Sequence, residues 1–99
     1  MTPKKSSAIP HQVTREVLVL NKLGVHARPA ALFVKVANRF NSEVMVEKDG
    51  EVVNGKSILG LMMLAAGPGA VLRVRATGAD AVEAVDALES LAKAKFNEE

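Results

Sequence analysis

Two short runs joined by Asp49-Gly50 restrict the fold more than any other feature of the chain. Across residues 43–48, Val44 and Val46 fall on one side, and Glu43, Met45 and Glu47 fall on the other. A period of two marks a strand with one buried and one wetted face. Asp49-Gly50 is a hairpin turn signal, and residues 51–54 supply the return strand. A sheet built around such a hairpin has one face for a core and one for water, which favours antiparallel pairing.

The rest of the chain can be read against that hairpin. Residues 13–20 are rich in Val and Leu and read as a first strand, broken by Asn21-Lys22-Leu23-Gly24. A helix is predicted from near Ala27, with Pro29 in its first turn, where a missing N–H does no harm. Ala30, Phe33, Val34 and Ala37 recur at helical spacing, Lys35, Asn38 and Arg39 point outward, and Phe40 extends the apolar face. Ser57 is a candidate N-cap for a short helix over 58–66, which Gly67-Pro68-Gly69 ends. Residues 70–77 read as a fourth strand, with Leu72, Val74 and Ala76 opposite Arg73 and Arg75. Beyond Gly78, Asp80 and Glu83 have the spacing of a capping box. Ala81, Ala84, Val85, Leu88, Leu91 and Ala92 then mark one face of a final helix. The predicted order is β-α-β-β-α-β-α. It implies an α+β two-layer open-faced sandwich: a four-stranded antiparallel sheet with three helices on one face. Residues 1–12 are polar, contain two prolines and read as a flexible tail, leaving a domain over 13–99.

Ninety-nine residues allow one core. With three Phe and neither Trp nor Tyr that core must be aliphatic, and without Cys it holds together with no disulfide. The net charge of +2 comes from scattered residues rather than a basic stripe, which argues against nucleic acid. A small RNA-binding domain would also need an aromatic platform that this chain lacks. Lys4 and Lys5 are not followed by the apolar core of a signal peptide. The longest apolar stretch, 58–72, holds three Gly and a Pro and is too short to cross a bilayer. A soluble cytoplasmic protein with no direct membrane insertion is expected. No metal-ligand cluster, Cys/His pair or carboxylate dyad is visible, so neither metal nor cofactor is expected.

His11 lies in the tail and is expected to be inert. His26 stands where a Gly-containing loop meets a helix start. The first turn of a helix offers unpaired N–H groups and a positive dipole end, a natural site for phosphate. Neutral imidazole is a nucleophile, and Arg28 adds a fixed cation whose planar fork suits phosphate oxygens. Position alone does not separate this reading from a capping or surface histidine. Ser57 is explained as an N-cap with or without a further role. The segment from Gly50 to Gly55-Lys56-Ser57 fits the spacing of a P-loop. It is rejected because its middle residues read as a strand, and the chain is far too short for a doubly wound nucleotide-binding fold. The short helix is apolar all round, so Ile58, Leu59 and Met62 are expected to stay partly exposed and to suit partner docking.

Gly24-Val25-His26-Ala27-Arg28-Pro29-Ala30 resembles the active-site motif of the HPr family, the histidine phosphocarriers of the bacterial phosphoenolpyruvate-dependent phosphotransferase system. The segment from Asn54-Gly55-Lys56-Ser57 to Met62-Met63-Leu64 resembles that family's second motif, around a regulatory serine. The resemblance implies a phosphocarrier, not an enzyme, that is transiently phosphorylated on Nδ1 of His26, with Arg28 contacting the phosphoryl group. Enzyme I would be the donor, an enzyme IIA domain the acceptor, and HPr kinase/phosphorylase a possible modifier of Ser57. A monomer is implied, and both the sugar-uptake and the nitrogen-related branch fit. A different reading is a non-catalytic regulator that works by docking and is controlled through Ser57.

Overall fold

The computed structural model describes residues 11–98. Strand β1 (Gln12–Leu18) leads to helix α1 (Ala27–Ala37), strands β2 (Glu43–Lys48) and β3 (Glu51–Asn54), helix α2 (Ile58–Met63), strand β4 (Val71–Thr77) and helix α3 (Ala81–Lys93). A single 3₁₀ turn, Lys95–Asn97, follows. The strands lie in the order β1-β4-β2-β3, and every neighbouring pair is antiparallel. This is the α+β open-faced sandwich that the alternation implied.

The two faces of the sheet divide as their side chains require. Val17, Val44, Val46, Leu72, Val74 and Ala76 are buried beneath the helices, whereas Glu16, Arg73 and Val52 face water. Helix α1 contributes Ala30, Phe33 and Ala37 to that core, α2 contributes Leu61, and α3 contributes Ala84, Val85 and Leu88. The core is aliphatic apart from Phe33 and Phe96. Arg15 anchors the edge strand β1 to α3 through Asp86 and Glu89, at 2.6 and 2.9 Å.

Several boundaries differ from expectation for local reasons. The ladder begins at Gln12, paired with Thr77, and ends at Leu18 rather than at residue 20. Val19 is still held, donating to Ala70 O at 2.9 Å and accepting from Gly69 N at 2.8 Å. Residues 1–10 of the expected tail lie outside the described residues. Helix α2 stops at Met63, three residues early, because Ala65 takes a left-handed φ of 51°. The capping box of Asp80 and Glu83 does not form. The Asp80 carboxylate instead accepts from the Ser42 hydroxyl and from the N–H groups of Asn41 and Ser42, both at 2.9 Å. It ties the start of α3 to the loop before β2 and leaves its own helix uncapped.

Candidate functional site

His26 sits where two separate pieces of chain meet. Gly24, at φ +70°, turns the chain close over the backbone of Ala66 and Gly67. Val25 N–H then donates to Ala66 O at 2.8 Å, so the loop rests on the segment that follows α2. His26 is the N-cap of α1, with extended backbone, and its carbonyl accepts from Ala30 N at 3.0 Å. Its side chain makes no capping hydrogen bond and is 38% exposed. The N–H groups of Ala27 and Arg28 have no acceptor within the helix, and Pro29 has no N–H at all. The positive end of α1 is therefore open beside an imidazole that does not cap it.

The imidazole is not free on every side. Nε2 lies 2.8 Å from Glu98 Oε2, and Glu98 Oε1 accepts from Asn21 Nδ2 at 2.9 Å. The same Nδ2 donates to Gly24 O at 2.6 Å. Asn21 is buried, and both partners of its nitrogen can only accept, so the orientation of its amide is fixed. The hydrogen bond from Asn21, and after it that from His26, holds the Glu98 carboxyl below the usual carboxylate range.

Glu98 reaches the site through an unusual run of backbone. Lys95, Phe96 and Asn97 all have positive φ, between 53° and 61°. For residues other than Gly this costs about 1–2 kcal/mol each. Phe96 is 1% exposed, and full burial of such a ring contributes about 1.5–3 kcal/mol toward holding the turn. Lys22, Leu23, Arg28, Asn97 and Glu98 together line an open groove beside the imidazole.

The remaining residues fall as follows. Arg28 is exposed on the first turn of α1. Ser57 is the N-cap of α2, and its Oγ accepts from Gly60 N at 2.9 Å. Ile58, Leu59 and Met62 are 43%, 69% and 42% exposed, and Met63, which the sequence did not single out, is 64% exposed. The P-loop spacing dissolves into a turn, a strand and a second turn. Gly55 N–H is bound to Val44 O at 2.7 Å, and Lys56 Nζ donates to Phe40 O at 2.8 Å. Asn21 and Glu98 were not foreseen as site residues, since Asn21 read only as part of a strand break. Phe96, an isolated late aromatic just before Glu98, was the available signal that this stretch packs. Among the described residues no cluster of metal-ligating side chains occurs, and no helix is long and apolar enough to cross a membrane.

The chain as a whole resembles known proteins. Residues 13–94 match the family model described as the PTS HPr component phosphorylation site. A phosphocarrier protein HPr of Treponema pallidum is 51% identical over 87 residues, covering 88% of this chain and 99% of the relative. An HPr-like protein Crh of Halalkalibacterium halodurans is 54% identical over 76 residues, covering 77% and 90%. The crystal structure of HPr-C-His from Thermoanaerobacter tengcongensis superposes with a TM-score of 0.80 at 49% identity, covering 90% of this chain and 98% of that one. With the family model matched over residues 13–94, half of the residues shared with a relative of nearly equal length, and the fold in agreement, the chain belongs to the HPr family of the phosphotransferase system.

Proposed function

We propose that this chain is a phosphocarrier, accepting a phosphoryl group from phospho-enzyme I on Nδ1 of His26 and passing it to an enzyme IIA domain. The observation that carries this reading is the state of the His26 ring. It is exposed and spends no atom on capping, and it stands at the open positive end of α1. In the charging step the Nδ1 lone pair forms a P–N bond while the bond from phosphorus to the donor breaks. The donor leaves with that electron pair, and discharge runs the same step in reverse. Such a transfer depends mainly on alignment and charge stabilisation between docked partners. The unpaired N–H groups of α1 and the Arg28 guanidinium supply the charge. Exposed Ile58, Leu59 and Met62 supply an adaptable apolar surface for more than one partner. In this role the protein is the carried-upon substrate of its partners and acts in the cytoplasm.

The relationship to HPr-like Crh proteins favours a second reading, a docking regulator controlled through Ser57. A phosphate at the start of a helix is electrostatically tolerated and would act by repelling an acidic partner surface. One experiment separates the two. The chain is incubated with enzyme I and phosphoenolpyruvate, and intact mass is followed beside His26→Ala. An acid-labile, alkali-stable phosphate on the unaltered chain, lost in the variant, is the expected result. No phosphate on the unaltered chain refutes the carrier reading and makes Ser57 the residue to test.

A further inference from the structure

We infer that Glu98 is a positioning residue for His26: its carboxylate holds the ring proton on Nε2, so that Nδ1 faces an incoming phosphoryl group as a free lone pair. The inference rests on the reading of His26 as the acceptor and adds a component that the histidine loop does not contain. The geometry carries it. Nε2 and Glu98 Oε2 are 2.8 Å apart, and one of the two must supply a hydrogen. The carboxyl also takes a hydrogen bond from the buried Asn21 amide and is held in its ionised form. An ionised carboxylate only accepts, so the hydrogen belongs to Nε2. A neutral ring with its proton there has its lone pair on Nδ1.

The charge argument points the same way. When Nδ1 bonds to phosphorus and Nε2 keeps its proton, the ring acquires a formal positive charge that it lacked before. Glu98, 16% exposed at the side chain, then faces a developing cation at hydrogen-bond distance. The interaction is stronger in the transition state than in the resting protein, which is the condition for accelerating a step. The arrangement follows the logic of a carboxylate that orients and supports an imidazole base. Asn21 gives it rigidity, since its Nδ2 binds both Glu98 and Gly24 O, in the loop that carries His26. The ring and the carboxylate are therefore braced against the same buried amide.

The test uses the full chain and the variants Glu98→Ala and Glu98→Gln. Two-dimensional ¹⁵N spectra of the His26 ring, recorded near pH 9, where an ordinary histidine is neutral, read the tautomer directly. The unaltered chain should show a protonated Nε2 and an unprotonated Nδ1. Glu98→Ala should give a mixture of tautomers and slow phosphoryl uptake from enzyme I by about ten-fold, the worth of one hydrogen bond to a charged group. Glu98→Gln has one amide oxygen for the two donors that face the carboxylate, Nε2 and Asn21 Nδ2, so it should preserve the tautomer only in part and recover only part of the rate. Backbone amide spectra establish that each variant is folded. A protonated Nδ1 in the unaltered chain, or either readout unmoved in Glu98→Ala, overturns the inference. Failure of the unaltered chain to take up phosphate at all would refute the carrier reading, and the tautomer spectra would still decide the role of Glu98.

Discussion

Replacing Gly24 by Ala tests whether the loop beneath His26 is held as closely as described. A Cβ at this position would collide with Ala66 O and lie 2.8 Å from Gly67 Cα, both of them backbone atoms with no side-chain freedom to yield. The site also has φ +70°. Gly69 provides the control, because its φ is +86° and nothing lies within 4 Å of its would-be Cβ. A left-handed Ala costs about 1–2 kcal/mol, offset in part by the stiffer unfolded chain, so Gly69→Ala should lose about 1 kcal/mol. Gly24→Ala carries that cost plus about 1–3 kcal/mol for forcing two backbone segments apart. For a domain of this size each kcal/mol moves the melting midpoint by about 4–8 °C. Gly24→Ala should therefore melt at least about 4 °C below Gly69→Ala. The chain has neither Trp nor Tyr, so far-UV circular dichroism is the suitable probe. Because the same contact orients Val25 and His26, Gly24→Ala should also accept phosphate more slowly than the control. Equal midpoints for the two variants would refute the close approach of the 24–26 loop to the Ala66–Gly67 backbone.

Three further outcomes are expected. Ser57→Ala removes the acceptor for Gly60 N–H and should cost about 1 kcal/mol in urea unfolding, whereas Ser57→Asp, which keeps an acceptor, should cost less. Arg28→Ala should slow phosphoryl transfer in a stopped reaction with enzyme I while leaving the melting midpoint within about 1 °C, since the residue is exposed; an unchanged rate removes Arg28 from the site. The Asp80 carboxyl is held below its ordinary value by the hydroxyl of Ser42 and the N–H of Asn41. A folded-state value below the unfolded one adds stability that is complete above the unfolded value, near pH 4, and is lost as pH falls through the folded one. Asp80→Asn should accordingly be less stable at neutral pH and show a shallower loss on acidification below about pH 5 in urea titrations.

The fold was legible because its signals are short-range and agree with one another. Val44 and Val46 alternate with Glu43, Met45 and Glu47, and Asp49-Gly50 fixes the hairpin and hence the antiparallel sheet. Ser57 as cap and the apolar face of α3 were equally readable, because a helix start and a helical stripe are written in adjacent residues. The errors lie where a residue answers to a distant partner. Asp80 has the spacing of a capping box, yet two N–H groups and a hydroxyl from the distant loop before β2 claim its carboxylate. Ala65 ends α2 although its residue type favours continuing it. The site divides in the same way. His26 and Arg28 stand in one contiguous motif. Asn21 and Glu98 are 77 positions apart and meet only because Phe96 is buried and three successive residues turn left-handed. No local pattern announces such a meeting.

The strand order has a consequence for how the chain assembles in time. Strand β4 lies between β1 and β2, so Thr77 is paired with Gln12 on one side and Glu43 on the other. The β2–β3 hairpin needs only neighbours and can close within about 1–10 μs. The first strand must wait for the fourth, whose pairing spans 65 positions. At about 5–20 residues per second of synthesis, β1 is complete roughly 3–10 s before Val71 is added. Throughout that interval β1 has a bare inner edge, joined by that of β2 once residue 48 has been added, and most of the core has no floor to pack on. A nascent chain stalled before Val71 would hold one hairpin and no sheet, so translation speed between β1 and β4 governs how long those edges stay open to pairing with other chains.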